Sequence, residues 1–244
     1  MEPLAKPQAK PIAILQFSPT VEPGYFAEYL DAHGHRHTVL RIDQGEAVPA
    51  ASTAFAGIGL LGGPMSANDA LPWVAPVLDL IRDALSHEVP VIGHCLGGQL
   101  MAKALGAAVT RNPVREIGWG ALRAEDSPAA RSWLGDISEV RAYQWHNETF
   151  ALPQGAQRVL TGDYCTNQAF VLGPHLGMQC HVEITPAMID AWSADWFADV
   201  ARLGPLPPSV QTPDAMRAEL ASSLAEMRQV SDRLYATWCL GLRH

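Results

Sequence analysis

Cys95 lies in the stretch Gly93-His94-Cys95-Leu96-Gly97-Gly98-Gln99, directly after the apolar run Val89-Pro90-Val91-Ile92. This reads as a strand, a tight turn centred on the cysteine, and a helix start. Glycines two before and two after Cys95 make a G-x-C-x-G elbow, in which the flanking residues let neighbouring chains pass closely. The thiol then projects at a helix N-terminus, where the positive end of the dipole favours thiolate. The chemistry this suits is nucleophilic attack, which needs a base and an acceptor to orient that base. Met178-Gln179-Cys180-His181-Val182-Glu183 offers both. If it is extended, alternation puts His181 and Glu183 on one side, with Glu183 holding one ring nitrogen and the other facing Cys95. Such a triplet alone carries little weight; downstream of a cysteine elbow it carries much. Leu61-Gly62-Gly63-Pro64 ends an apolar run. A Gly-Gly turn there can aim a backbone N–H at a developing oxyanion, with the Leu96 N–H as a second donor.

These residues need a scaffold, and the chain supplies one. Apolar runs at 12–17, 38–42, 57–61 and 89–94 alternate with helical patterns at 25–32, 73–85 and 97–105. Continuous apolar strands between helices predict an α/β fold whose parallel sheet is covered on both faces. The second half reads as short strands at 118–123, 138–143, 157–161, 169–172 and 176–180, then a helix at 186–198. The Pro-rich stretch 204–208 precedes a last helix with Thr212 as N-cap and Pro213 at its first position. Met216, Leu220, Leu224, Met227, Leu234 and Trp238 form one apolar stripe along it, expected to pack on the chain's own α/β layer, with a homodimer contact or partner docking as alternatives.

Composition narrows the class. With 48% hydrophobic and 17% charged residues, the chain is neither disordered nor membrane-like. A formal net charge of −8 without Lys/Arg clusters argues against a nucleic-acid partner. The N-terminus lacks an apolar signal segment, and no run reaches the length of a membrane span. The four cysteines form no C-x-x-C pair, which fits a reducing cytoplasm. The nine histidines form no H-x-x-x-H or H-E-x-x-H pattern, so no metal and no other cofactor is expected. Cys165 and Cys239 read as packing residues, and Trp119 as a core aromatic rather than a pocket wall.

Taken together, Gly62-Gly63-Pro64, the 93–99 elbow and Gln179-Cys180-His181-Val182-Glu183 resemble the class I, triad-type glutamine amidotransferases. The chain is most similar to stand-alone, GMP-synthase-like domains of that family. Tyr143-Gln144-Trp145-His146-Asn147-Glu148 is similar to the family's Trp-Ser-His-Gly-Asp stretch, with Asn147-Glu148 replacing Gly-Asp. Val182 and Cys180 stand where the family usually has Pro and Phe. The resemblance covers about residues 10–190. It implies a three-layer α/β/α fold with a mostly parallel, flavodoxin-like sheet. It further implies a Cys95–His181–Glu183 triad and an oxyanion hole from Gly63 and Leu96. Substrate contacts are implied for Gly62, Gln99, Trp145, His146, Asn147 and Glu148.

The resulting expectation is an amidotransferase-like domain over residues 1–204 and a linker plus amphipathic helix over 205–244. The substrate expected is glutamine or another γ-glutamyl compound. Ammonia would pass to a synthetase acting in trans, because the remaining chain is too short for a second catalytic domain. One alternative keeps the chemistry and changes the leaving group, giving a γ-glutamyl-amine or γ-glutamyl-peptide hydrolase without a partner. Another is a non-catalytic binding domain on the same fold. An α/β-hydrolase with a cysteine elbow is disfavoured, since its acid would precede the histidine.

Overall fold

The computed structural model describes residues 10–200 and 204–243; the N-terminal stretch read above as lacking a signal segment lies, up to residue 9, outside the described residues. Nine strands form one sheet in the order β2-β1-β3-β4-β9-β8-β7-β5-β6. Its parallel half holds β1 (Ile12–Gln16), β2 (His37–Arg41), β3 (Gly57–Leu60), β4 (Val91–His94) and β9 (His175–Met178). Its antiparallel half continues from β9 through β8 (Ala169–Leu172), β7 (Gln157–Gly162), β5 (Val109–Ala124) and β6 (Glu139–Phe150).

Alternation along β1 shows why the sheet has a core on each face. Ile12 and Ile14 join one apolar cluster, while Ala13 and Leu15 join the other. On the second face pack α2 (Val74–Ser86) and α3 (Leu96–Ala104). The first face carries α1 (Gly24–Ala32), α4 (Pro128–Leu134), α5 (Pro186–Val200), α6 (Pro213–Ala218) and α7 (Leu220–Cys239). This is the three-layer α/β/α arrangement, with a mixed sheet.

Three local differences from the sequence reading have physical causes. β5 and β6 run much longer than 118–123 and 138–143, because a register shift between Arg111 and Glu116 interrupts the apolar alternation of β5. β9 stops at Met178, so residues 178–183 are not one extended segment. His181 makes an isolated bridge to Tyr143, and Val182 and Glu183 lie in a turn. The apolar stripe is carried by two helices rather than one. The chain flattens at Glu219, whose carboxylate accepts from Gln211 Nε2 at 2.8 Å and pairs with Arg141. Thr212 does cap α6, its Oγ1 accepting from Ala215 N at 3.2 Å. Met216, Met227, Leu234 and Trp238 are buried against the first face of the same chain.

The Pro-rich stretch is not a loose spacer. Immediately after it, Val210 forms a parallel bridge with Ile117, and Ser209 Oγ donates to the Arg115 carbonyl at 2.6 Å. The C-terminal helices are thereby tied to β5 as well as to the core.

Candidate active site

The elbow begins at the end of β4. Cys95 has φ +49° and ψ −105°, a conformation that L side chains rarely adopt, and it immediately precedes α3. Glycine is required on either side by close approach. A Cβ on Gly93 would stand 2.5 Å from the Gly97 carbonyl carbon, and one on Gly97 would stand 2.3 Å from Leu60 O. The contacts are backbone, so no side-chain rotation could relieve them.

The thiol is 5% exposed and has three polar neighbours. Gln179 Nε2 donates to Sγ at 3.5 Å, and the Trp145 carbonyl lies 3.9 Å from it. The third neighbour is the His181 imidazole: a Cβ on Gly62 would meet His181 Cε1 at 2.8 Å and Cys95 Cβ at 3.6 Å. His181 Nδ1 is engaged by Glu183 Oε1 at 2.6 Å, which leaves Nε2 for the thiol. β4 and β9 are sheet neighbours, so the residues that follow them come together although far apart in sequence. Gly62 therefore packs beneath both groups. Trp192 of α5 covers the imidazole edge-on, with ring centroids 4.9 Å apart.

Burial alone would push the His181 pKa down, but the Glu183 carboxylate and Cys95 outweigh it and raise it. Burial alone would raise the Glu183 pKa; His181 and His94 reverse that and lower it. The pair is therefore an imidazolium–carboxylate at neutral pH. Desolvation pushes the wholly buried His94 down, against the opposing pull of Glu183. The other thiols lie far from this pattern. Burial raises Cys165 to about 11 and Cys239 to about 12, and it raises Cys180 further still.

A cleft of about 590 Å³ opens over the thiol. Cys95, His181, Gly63, Gln99 and residues 145–148 line it, so most of the residues named from sequence meet there. Gly62, Leu96 and Glu183 do not line it. Leu96 packs directly behind Gly63, whose Cβ would meet Leu96 Cδ2 at 3.0 Å. Gln99 Nε2 donates to the Glu148 carbonyl and to Gln179 Oε1, both at 3.2 Å. Both its amide hydrogens are occupied, and Oε1 is left to accept from a ligand. His146 is built into the wall: Nδ1 lies 3.0 Å from the Glu148 carbonyl and Nε2 lies 3.0 Å from Glu116 Oε2. Trp119 is core, donating Nε1–H to the Met216 carbonyl at 3.1 Å.

Four contributors were given no role by the sequence reading: Gln179, Trp192, Arg115 and His94. Gln179 and His94 sit inside the motifs themselves. Trp192 and Arg115 reach the cleft only through tertiary packing.

Among the described residues one group has the reach for a metal ion: Glu116, His146 and Cys165, with ligand atoms within 4.8 Å of one another. Glu116 and Cys165 already have partners, while His146 Nε2 lies 3.0 Å from Glu116 Oε2 without a hydrogen bond. Glu116 Oε2 accepts from Gln168 Nε2 at 3.0 Å, and Cys165 Sγ contacts Thr149 Oγ1 at 3.1 Å. The group is a buried polar cluster supporting the 145–148 wall. No helix among the described residues is long and apolar enough to cross a membrane.

A strained cysteine elbow on a mixed α/β/α sheet thus opens into a cleft beside a buried His–Glu pair. Residues 25–197 match the family Glutamine amidotransferase class-I, and the chain belongs to that family. A glutamine amidotransferase from Methylobacillus flagellatus has the same structure over 97% of both chains, with 40% identity and a TM-score of 0.94. The chain is also similar to the glutamine amidotransferase-like protein YfeJ of Salmonella typhimurium, at 26% identity over 87% of this chain and 89% of that one. Similarity to the glutamine-hydrolysing GMP synthase of Aromatoleum aromaticum is 29% over 54% of this chain, but spans only 26% of the synthase.

Proposed function

We propose that this protein hydrolyses a γ-carboxamide, glutamine being the first substrate to test, through a γ-glutamyl thioester on Cys95. The observation that supports this best is the buried His181–Glu183 hydrogen bond beside Cys95, with Cys95 and His181 lining the same cleft. Cys95 Sγ attacks the γ-carbonyl carbon, its proton residing on His181. The oxyanion of the tetrahedral intermediate is held by the N–H groups of Gly63 and Leu96. The C–N bond breaks as His181 passes its proton to the leaving nitrogen, releasing ammonia. Water then adds to the thioester with His181 as base, glutamate leaves and the thiol re-forms. Glu183 keeps the ring oriented and stabilises its charge. Gln99 Oε1 and the 145–148 backbone hold the glutamyl portion, and ammonia goes to a synthetase partner in trans.

A second reading changes only the leaving group. The cleft volume falls in the range that encloses drug-sized ligands, and the edge-on Trp145–Trp192 pair lines it beside His181, where the leaving amine departs. That space suits a γ-glutamyl amine or γ-glutamyl peptide. The test is turnover by pure protein of glutamine and a panel of γ-glutamyl amines, with Cys95→Ala as control. Glutaminase activity that rises with an added synthetase supports the amidotransferase; partner-free turnover of one γ-glutamyl amine supports the hydrolase. No turnover of any of them, or turnover that survives Cys95→Ala, overturns both.

A further inference from the structure

Glu183 is fully buried, and it is held from outside its own turn. Its backbone carbonyl accepts from Tyr25 N, at the start of α1, at 2.9 Å. The carbonyls on either side are taken by α7. Arg228 Nη1 donates to Val182 O at 3.2 Å and Arg228 Nη2 to Ile184 O at 2.7 Å, so one guanidinium brackets the acid. Ser231 Oγ lies 2.9 Å from Val182 O. One helical turn further on, the Tyr235 hydroxyl lies 3.2 Å from His94 Nε2, which in turn lies 3.9 Å from Glu183 Oε2. That carboxylate oxygen has no hydrogen-bond partner of its own, and His94 and Tyr235 are fully buried. Residues 228, 231 and 235 share one helical face, at spacings of three and four.

We infer that α7 is a positioning element of the active site: Arg228 and Ser231 fix the turn that carries Glu183, and Tyr235 holds the His94 ring beside its free carboxylate oxygen. The inference deepens the proposed mechanism and rests on it for what the acid does. It differs from simple packing, because two polar groups of α7, Arg228 and Ser231, converge on residues 182–184, and a third, Tyr235, reaches His94 beside them. A helix that served only to cover apolar surface would need none of them. The same guanidinium stacks 3.6 Å above the Tyr25 ring, and Tyr25 Oη donates to Asp232 at 2.6 Å, which pins Arg228 in this pose. The titratable and charged groups facing the imidazole–acid pair are Cys95 and His94 on the elbow, Cys180 beside the turn, and Tyr235 and Arg228 on α7.

The experiment uses full-length Tyr235→Phe, Arg228→Met and Arg228→Lys, with Val230→Ala as a packing control on the same helix. Two readouts are taken: kcat and KM for glutamine, and the rate of Cys95 alkylation by iodoacetamide as a function of pH, site-assigned by mass spectrometry. Loss of one such hydrogen bond in Tyr235→Phe, and of two in Arg228→Met, should lower kcat at least roughly five- to tenfold, with KM unchanged to within about twofold. Both should move the pH profile of Cys95 alkylation, and Arg228→Lys, which keeps the charge and a donor, should recover part of each effect. Val230→Ala should lower Tm while leaving the alkylation profile at wild type. The inference is overturned if Tyr235→Phe and Arg228→Met keep the wild-type profile. It is also overturned if Val230→Ala moves the profile as far at equal loss of Tm. Should Tyr235→Phe or Arg228→Met fail to fold, the comparison of Arg228→Lys with Val230→Ala decides. If the wild type turns over no γ-carboxamide, the proposed function fails, and the alkylation profiles still decide the role of α7.

Discussion

Glu183→Gln keeps the shape of the acid and removes its charge. In the wild type the 2.6 Å contact between Glu183 Oε1 and His181 Nδ1 is a buried, charge-assisted hydrogen bond. Such bonds contribute about 1.5–3 kcal/mol, against about 0.5–1.5 for neutral ones. The difference, about 1–2 kcal/mol, corresponds to a fall of roughly 5- to 30-fold in kcat/KM. Removing the base itself with His181→Ala should cost more, on the order of 10²–10⁴. The substitution also changes how stability depends on pH. The folded-state pKa of Glu183 lies below its unfolded value, so its contribution is present above about 4.3 and is lost as pH falls through the folded value. The folded-state pKa of His181 lies above its unfolded value. Its contribution is therefore full below about 6.5 and declines as pH rises towards the folded value. Without the carboxylate, the strongest influence that favours the charged imidazole is gone, and both contributions shrink. The Tm gap between wild type and Glu183→Gln should therefore be widest near pH 5–6 and shrink as pH rises past about 6.5. Thermal melts across pH and an ammonia-release assay measure the two effects. Turnover equal to wild type, or a Tm gap that widens with rising pH, would refute the reasoning.

Cys95→Ala should abolish turnover with little change in Tm, and a γ-glutamyl chloroketone should label Cys95 while sparing Cys165, Cys180 and Cys239; peptide mapping that finds another labelled cysteine would sink the nucleophile assignment. Gly97→Ala puts a Cβ 2.3 Å from Leu60 O, and overpacking of that kind should destabilise by roughly 1–3 kcal/mol or more, read in a denaturant melt alongside loss of Cys95 labelling. Deleting residues 209–244 uncovers the layer against which Met227, Leu234, Tyr235 and Trp238 are buried. Each such side chain contributes about 1.5–3 kcal/mol on burial, so the truncated protein should aggregate or lose its cooperative melt; a stable monomer would mean that the helices do not hold this layer together.

The parallel half of the sheet was legible because its strands are short apolar runs bounded by glycine and proline, and because both faces are buried. The elbow was legible for a steric reason: only glycine tolerates the approaches at Gly93 and Gly97, so geometry had to appear in the sequence. The antiparallel half was harder to read. β5 carries Arg111, Asn112, Pro113 and Arg115 around its register shift, and the second half of β6 is polar where it faces the cleft and the Glu116 cluster. α4, with Ser127 capping Ala130 N at 3.1 Å, was not read from sequence at all, because seven residues give too few turns for a periodic pattern. Trp192 and Arg115 carried no local signal, since each reaches the site by way of an element distant in the chain. The grip of α7 on the Glu183 turn was equally invisible. Its stripe was read from apolar residues, whereas Arg228 and Ser231 lie among the polar positions that such a reading assigns to solvent.

The seam where β4 meets β9 has a consequence for biosynthesis. Gln179, which touches the thiol, follows Cys95 by 84 positions, and Tyr235 follows His94 by 141. At translation rates of roughly 5–20 residues per second, the elbow leaves the ribosome several seconds before β9 and the His181 that follows it exist, and longer still before α7 does. The strands that could fold first, β1 to β4, form a parallel unit whose open edge is the β4 flank awaiting β9. A nascent chain therefore carries the cysteine without its base and beside an unpaired strand edge. Competence for chemistry is deferred until the longest-range pairing in the parallel half has closed.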